Sequence, residues 1–213
     1  MKNYTEIITI LDRSGSMDSI RTDMEGAFNA FIAEQKKVTT DEAKVSLYTF
    51  DTTLETEYEG RPLAEVPSLN IFPRGGTALY DAVGRIVNKT GQRFAALKED
   101  ERPARVVVVI ITDGEENSSR EFSGSKVKEL VKHQSDKYSW EFVFFGANQD
   151  AFNAAASIGV KSSNTMTFAA NTRGVKSGLD SLSKNLVSYR CMAADTMEFS
   201  QKDYSDQAAA FSK

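Results

Sequence analysis

Asp12, Ser14 and Ser16 stand at alternate positions in Leu11-Asp12-Arg13-Ser14-Gly15-Ser16-Met17, directly after the apolar run Ile7–Leu11. A carboxylate and two hydroxyls around a glycine, at the mouth of a buried strand, can do one of two things. They can form an ordinary turn in which Ser16 or Asp18 caps the following helix, or they can line a cradle for a cation. Two other clusters bear on the choice. Thr77 follows Gly75-Gly76 and opens a helical stretch, and Asp113-Gly114 follows the apolar stretch Arg105–Thr112. Taken singly, Thr77 reads as an N-cap and Asp113-Gly114 as a turn pair. Taken together, the clusters supply two carboxylates and three hydroxyls without imidazole or thiolate. That all-oxygen set suits a hard cation: magnesium first, with manganese or calcium as alternatives.

The elements that must position these groups follow from hydrophobic periodicity. Ile7–Leu11 and Arg105–Thr112 are continuous apolar runs of strand length, as expected for strands covered on both faces. The valine- and isoleucine-rich second run reads as the central strand. Val45–Phe50 and Trp140–Gly146 are further strands, Thr165–Phe168 a short one, and Thr52–Tyr58 an antiparallel hairpin partner at an edge. Apolar residues at three- and four-residue steps mark helices through Ile20–Ile32, Leu79–Val87, Ser125–Gln134, Asp150–Ile158 and Thr172–Tyr189. Asn148 or Asp150 offers an N-cap for the fourth of these. The alternation predicts a Rossmann-like three-layer α/β/α fold, with a mostly parallel sheet and one antiparallel edge strand. Ligands of such sheets bind beyond the carboxyl ends of the strands, where the three clusters are expected to meet. One domain is read over residues 1–190. The polar segment 191–213 carries Phe199, Tyr204 and Phe211, which either pin it to the body or belong to a partner contact.

Bulk properties exclude several classes. With 40% hydrophobic and 26% charged residues and 4 prolines, the chain of 213 residues reads as a folded globular protein. Its net charge of -4 gives no bulk positive field for nucleic acid or anionic lipid. Cys191 and His133 are the sole cysteine and histidine, so an intrachain disulfide and a thiolate zinc cluster are ruled out. An imidazole-based triad would have to use His133, which lies in a helical stretch and reads as a surface residue. No apolar run approaches membrane-spanning length, and the chain reads as cytoplasmic.

Three segments together resemble one family. LDRSGSM resembles the D-x-S-x-S signature of von Willebrand factor A (VWA) domains, RGGTALYDAV their threonine loop, and VVVIITDGEEN their strand with the second aspartate. They occur in family order over about residues 5–170, and FFGANQDAFNAAASIGV is most similar to stand-alone bacterial and phage VWA proteins. The resemblance implies a metal-ion-dependent adhesion site (MIDAS) for magnesium. In it Ser14 and Ser16 coordinate through hydroxyls, Thr77 directly or through water, and Asp12 and Asp113 largely through water. Neutral hydroxyl ligands would keep the cation electrophilic, leaving one position for an Asp or Glu of a protein partner. Gly15 would let the loop turn closely around the ion, and Arg13, at the free position of the signature, would point to solvent. In some members the last helix, here Thr172–Tyr189, slides when the site changes state.

The function expected on this reading is a non-enzymatic, metal-dependent protein-interaction module. One alternative is a metal-dependent phosphoryl-transfer or hydrolytic enzyme on a similar sheet, with Asp12 or Ser14 as nucleophile or metal anchor. Against it, no Walker loop, G-x-G-x-x-G or G-x-S-x-G motif is present, and Glu115 and Glu116 read as solvated loop charges. The other alternative is a structural assembly protein of a phage.

Overall fold

The segment richest in β-branched residues takes the middle of the sheet. In the computed structural model, which describes residues 4–147 and 151–211, Arg105–Thr112 is strand β4. It joins β1 (Tyr4–Asp12), β2 (Glu42–Phe50), β3 (Leu54–Pro62), β5 (Glu141–Gly146) and β6 (Thr165–Thr167) in one sheet of order β3-β2-β1-β4-β5-β6. All pairs are parallel except β2–β3. This is the three-layer arrangement expected from the sequence. Strand order reverses between β1 and β4, so the loops leaving these two strands diverge to opposite faces and leave a crevice at their carboxyl ends.

Helices α1 (Arg21–Lys36), α2 (Leu79–Ala95), α3 (Gly124–Tyr138), α4 (Ala151–Ser157), α5 (Thr172–Arg190) and α6 (Gln201–Phe211) cover the sheet. Alternation along β1 sorts the core. Ile7 and Leu11 pack with α1 and α5 on one face, and Ile8 and Ile10 with α2, α3 and α4 on the other. All nine residues of β1 are buried, as a strand between two helical layers requires. Glu6 is the costly member of that run. Its Oε1 accepts hydrogen bonds from Ser46 Oγ at 2.8 Å and Arg93 Nη2 at 2.7 Å, so the charge enters the interior only with a partner.

Some expected elements extend further than periodicity indicated. The helix read over Ser125–Gln134 continues to Tyr138, where Ser139 takes a left-handed conformation (φ 55°) and closes it. The N-cap residues expected at Asn148 or Asp150 lie outside the described residues. His133 is exposed on α3.

The segment after α5 is the main addition. Met197 and Phe199 are buried in the core, and the Phe199 ring meets Phe145 edge-on at 5.4 Å. Tyr204 Oη donates to Ser162 O at 3.1 Å, whereas Phe211 is exposed. Of the three aromatic residues, Phe199 and Tyr204 thus pin the segment to the body. Helix α6 holds the start of α5: Gln207 Nε2 donates to Gly174 O at 2.9 Å and Asn171 Nδ2 to Ala210 O at 3.2 Å. Arg190 holds the other end. Fully buried, it donates to Asp41 Oδ2 at 3.1 Å and Gln35 O at 2.8 Å, and Gln35 Nε2 in turn donates to Ser183 O at 3.1 Å. Removing one member of such a buried set leaves the others uncompensated. Arg190→Ala is expected to lower unfolding free energy by about 3 kcal/mol, read from urea denaturation with an unchanged slope.

Candidate metal centre

Asp12 is the last residue of β1 and fully buried. Its Oδ1 accepts the Ser14 backbone N–H at 2.6 Å, an Asx-type turn that starts the loop, and its Oδ2 accepts Thr112 Oγ1–H at 2.6 Å across the sheet centre. Ser14 Oγ lies 3.0 Å from Ser16 Oγ, and Ser16 Oγ donates to Asp113 Oδ1 at 2.7 Å. The loop then runs through a short 3-10 turn, Gly15–Ile20, into α1. Ser14 stands at the N-cap of that turn but makes no side-chain cap bond. The serines therefore serve the crevice rather than the helix end.

Thr77 reaches the same place from the opposite side. It is buried, and a Cβ built on Gly114 would stand 2.9 Å from its Oγ1, 3.5 Å from Ser16 Oγ and 3.8 Å from Asp12 Oδ2. The glycine thus leaves open a space bounded by oxygens of three separate chain segments. Ala78, not Thr77, is the N-cap of α2. The first turn of α2 is capped from a distance. Glu116 Oε2 accepts the Tyr80 N–H at 2.9 Å, Ser119 Oγ the Asp81 N–H at 3.1 Å, and Asn117 Oδ1 the Thr77 N–H at 3.0 Å. Asp81 returns the favour by accepting the N–H groups of Arg120, Glu121 and Phe122 at 2.8–2.9 Å. Glu116 is therefore a cap rather than a solvated charge. The relevant signal was an Asp in the first turn of α2 facing an E-N-S-S loop, a pairing no local pattern reports.

Two other expectations are corrected. Arg13 does not point to solvent; its side chain is almost entirely buried, with Nε 3.0 Å from Asp51 Oδ2 and Nη1 2.7 Å from Glu55 Oε2. Asp12 and Ser14 on either side of it face the crevice, and the intervening Arg13 side chain reaches the β2–β3 hairpin, where these carboxylates stand. Arg74 joins them, with Nε 3.0 Å from Asp51 Oδ2 and Nη2 2.6 Å from Glu55 Oε1. Backbone bonds add to this link, Gly15 N–H to Gly75 O at 3.1 Å and Arg74 N–H to Arg13 O at 2.8 Å. The Thr77 loop is so fastened to the Asp12 loop. Nor does Gly15 need to be glycine for space, since a Cβ there would meet only Gly75 O at 3.6 Å. The left-handed conformation falls at Gly75 (φ 68°) instead.

The electrostatics single out Asp12. Burial pushes its carboxyl up to about 6, against the bonds from Thr112 and Ser14, and Asp113 adds a like charge. Asp113 is itself raised by burial, partly offset by the Ser16 hydroxyl. Asp51 is also penalised by burial, yet Thr53 and the two arginines bring it below the usual carboxylate range. Among the described residues, no three His, Cys, Asp or Glu side chains group so as to hold a metal. A cation here would depend on the hydroxyls of Ser14, Ser16 and Thr77 together with Asp12 and Asp113. A hard divalent ion fits this oxygen set and the space beside Gly114.

A sequence profile of the von Willebrand factor type A domain (VWA) matches residues 6–182. The chain belongs to the VWA family. No curated protein sequence matches it. Among solved structures, proximal thread matrix protein 1 of the mussel byssus superposes with a TM-score of 0.61 at 15% identity, over 89% of this chain and 46% of that one. The same mussel protein has been solved with zinc in its MIDAS motif, matching at 15% identity and TM-score 0.61 over 87% and 46% of the two chains. The PilB minor pilin of Streptococcus sanguinis gives a TM-score of 0.65 at 12% identity, over 91% and 64%. The chain thus spans a little under half of the mussel structures, and likeness at such identities establishes the fold.

Two outcomes follow for this VWA site. A carboxyl raised in the folded state binds more protons there than when unfolded, so between about pH 4 and 6 it makes metal-free stability fall as pH rises. Asp12→Asn should therefore be more stable than wild type without metal at pH 7, by roughly 1–3 kcal/mol of unfolding free energy, and converge with it near pH 4. Calorimetry across that range checks the sign. Gly114→Ala fills the space between Thr77 and Ser16 and should weaken the binding of a divalent cation at least tenfold by isothermal titration, with native circular dichroism retained.

Proposed function

We propose that this VWA domain is a non-enzymatic module that binds a protein partner through a divalent cation, magnesium in the physiological case. Ser14 and Ser16 would hold the cation by their hydroxyls, Thr77 directly or through water, and Asp12 and Asp113 largely through water. When bound, the cation would supply a Lewis-acidic position to be completed by an Asp or Glu of the partner. The observation that carries this reading is the meeting of Ser14, Ser16, Thr77 and Asp113 around the buried Asp12. The carboxylates are already engaged, Asp12 by Ser14 and Thr112 and Asp113 by Ser16. Engaged in this way, they would neutralise a cation less than directly bound carboxylates would, and the ion would retain appetite for a partner's charge.

A phosphoryl-transfer or hydrolytic role is less well supported. Glu116, a conceivable general base, is committed to the N–H groups of Tyr80, Ser118 and Ser119. The domain is taken to span residues 1–190, with 191–213 as an appended segment that packs onto it. Among the described residues no helix is long and apolar enough to cross a membrane, and a cytoplasmic setting is part of the proposal.

Magnesium should raise the melting temperature of the wild type, by the equivalent of about 2.7 kcal/mol at one hundred times its dissociation constant. Ser14→Ala with Ser16→Ala should lose that response. A melting curve indifferent to millimolar magnesium overturns the metal site. Release of a captured partner by EDTA, together with background-level turnover of p-nitrophenyl phosphate, would support the interaction role over the enzymatic one.

A further inference from the structure

A second concavity lies at the opposite end of the sheet, where β4 and β5 begin. It has a volume of about 280 Å³ and lies between the carboxyl ends of α2 and α3. Its inner walls are Phe94, Val106 and Trp140, and the Phe94 and Trp140 rings meet edge-on at 5.8 Å. Arg102 closes one side, its Nε spent on Phe94 O at 3.1 Å and Leu97 O at 3.2 Å, while His133 and Tyr138 stand at the mouth. The walls thus favour a flat, uncharged ring over an ion.

Gln134 is the neutral polar side chain beside the aromatic wall of this mixed hollow. The residue is 9% exposed and lines the cavity, yet its carboxamide makes no hydrogen bond among the described residues. Room for it comes from the bare backbone of α2: a Cβ on Gly91 would stand 3.2 Å from Gln134 Nε2. The carboxamide is not among the polar groups that are both buried and unpartnered, so it opens into the cavity and is free to bond whatever enters there. A ligand that supplies both partners replaces water at that carboxamide. Adjacent C=O and N–H groups on a rigid ring match an adjacent Nε2–H and Oε1 in two parallel bonds.

We propose that this cavity binds a small planar heterocycle bearing a cyclic amide edge, the pattern carried by pyrimidine and oxopurine bases, with Gln134 reading that edge and Phe94 and Trp140 enclosing the ring. The site lies away from the Asp12 crevice and is independent of metal. A volume of about 280 Å³ admits one or two fused rings and little else.

Trp140 is the sole tryptophan, so its fluorescence reports the cavity directly. Uracil should shift that emission saturably in the millimolar range, with or without EDTA. 1,3-Dimethyluracil, which keeps the ring but lacks its N–H donors, should bind at least tenfold more weakly to the wild-type protein, so this comparison needs no variant. Gln134→Leu should bring uracil and dimethyluracil to similar affinities while leaving the melting temperature and its magnesium response intact. The proposal is overturned by the absence of a saturable response to uracil. Equal binding of the two uracils by wild type also overturns it, as does an unaltered uracil affinity in Gln134→Leu.

Discussion

A carboxylate with no cationic side chain against it, buried at the centre of the sheet, is the constraint around which this molecule is arranged. Asp12 has two short hydrogen bonds, from Ser14 and Thr112, and its carboxyl is raised by burial to about 6. The arginine next to it in sequence is spent elsewhere. Arg13, with Arg74, neutralises Asp51 and Glu55 over the β2–β3 hairpin. Had Arg13 turned inward, Asp12 would be an ordinary buried ion pair with little capacity for anything further. The division leaves the crevice electronegative while fastening the loops around it.

Those loops are positioned by rigid elements, which matters because a site only slightly too loose does little. Asp12 ends one and Asp113 follows the other of two neighbouring parallel strands in the buried middle of the sheet. The Thr77 loop is tied to the first by Gly15 and Arg74, and the start of α2 is tied to the loop after β4 by bonds running in both directions between Tyr80 and Asp81 and residues 116–122. Ser14 and Ser16 lead directly into α1, which packs along α5, itself held at both ends. Displacing any one of these segments strains the others.

Much of this was legible in the residues. The six strands, the antiparallel edge and the meeting of Asp12, Ser14, Ser16, Thr77 and Asp113 follow from periodicity, the rule for parallel sheets and the family signature. What escaped was long-range and polar. The direction of Arg13 depends on carboxylates 38 and 42 residues away, and the capping role of Glu116 on an amide 36 residues back. Neither leaves a local trace. Helix α6 was obscure because its polar sequence has little apolar periodicity: Tyr204, Gln207 and Ala210 face the body, and the first two do so through polar atoms. Nothing local marks Arg190 as buried, since its partners Asp41 and Gln35 stand 149 and 155 residues away.

The central place of β1 has a consequence for the nascent chain. It is the first strand made, yet one of its edges waits for β4, and the hydrogen bond that joins them at the crevice spans 100 residues. At ribosomal rates of about 5–20 residues per second, that interval lasts roughly 5–20 s. Throughout it, a strand of nine core residues has at best one neighbour, and Asp12 lacks Thr112 and Asp113 altogether. An unpaired apolar edge of this kind invites adventitious pairing, so the sheet is most vulnerable in the interval before β4 is made. Its oxygen cluster, too, waits for the loop after β4, which brings Asp113.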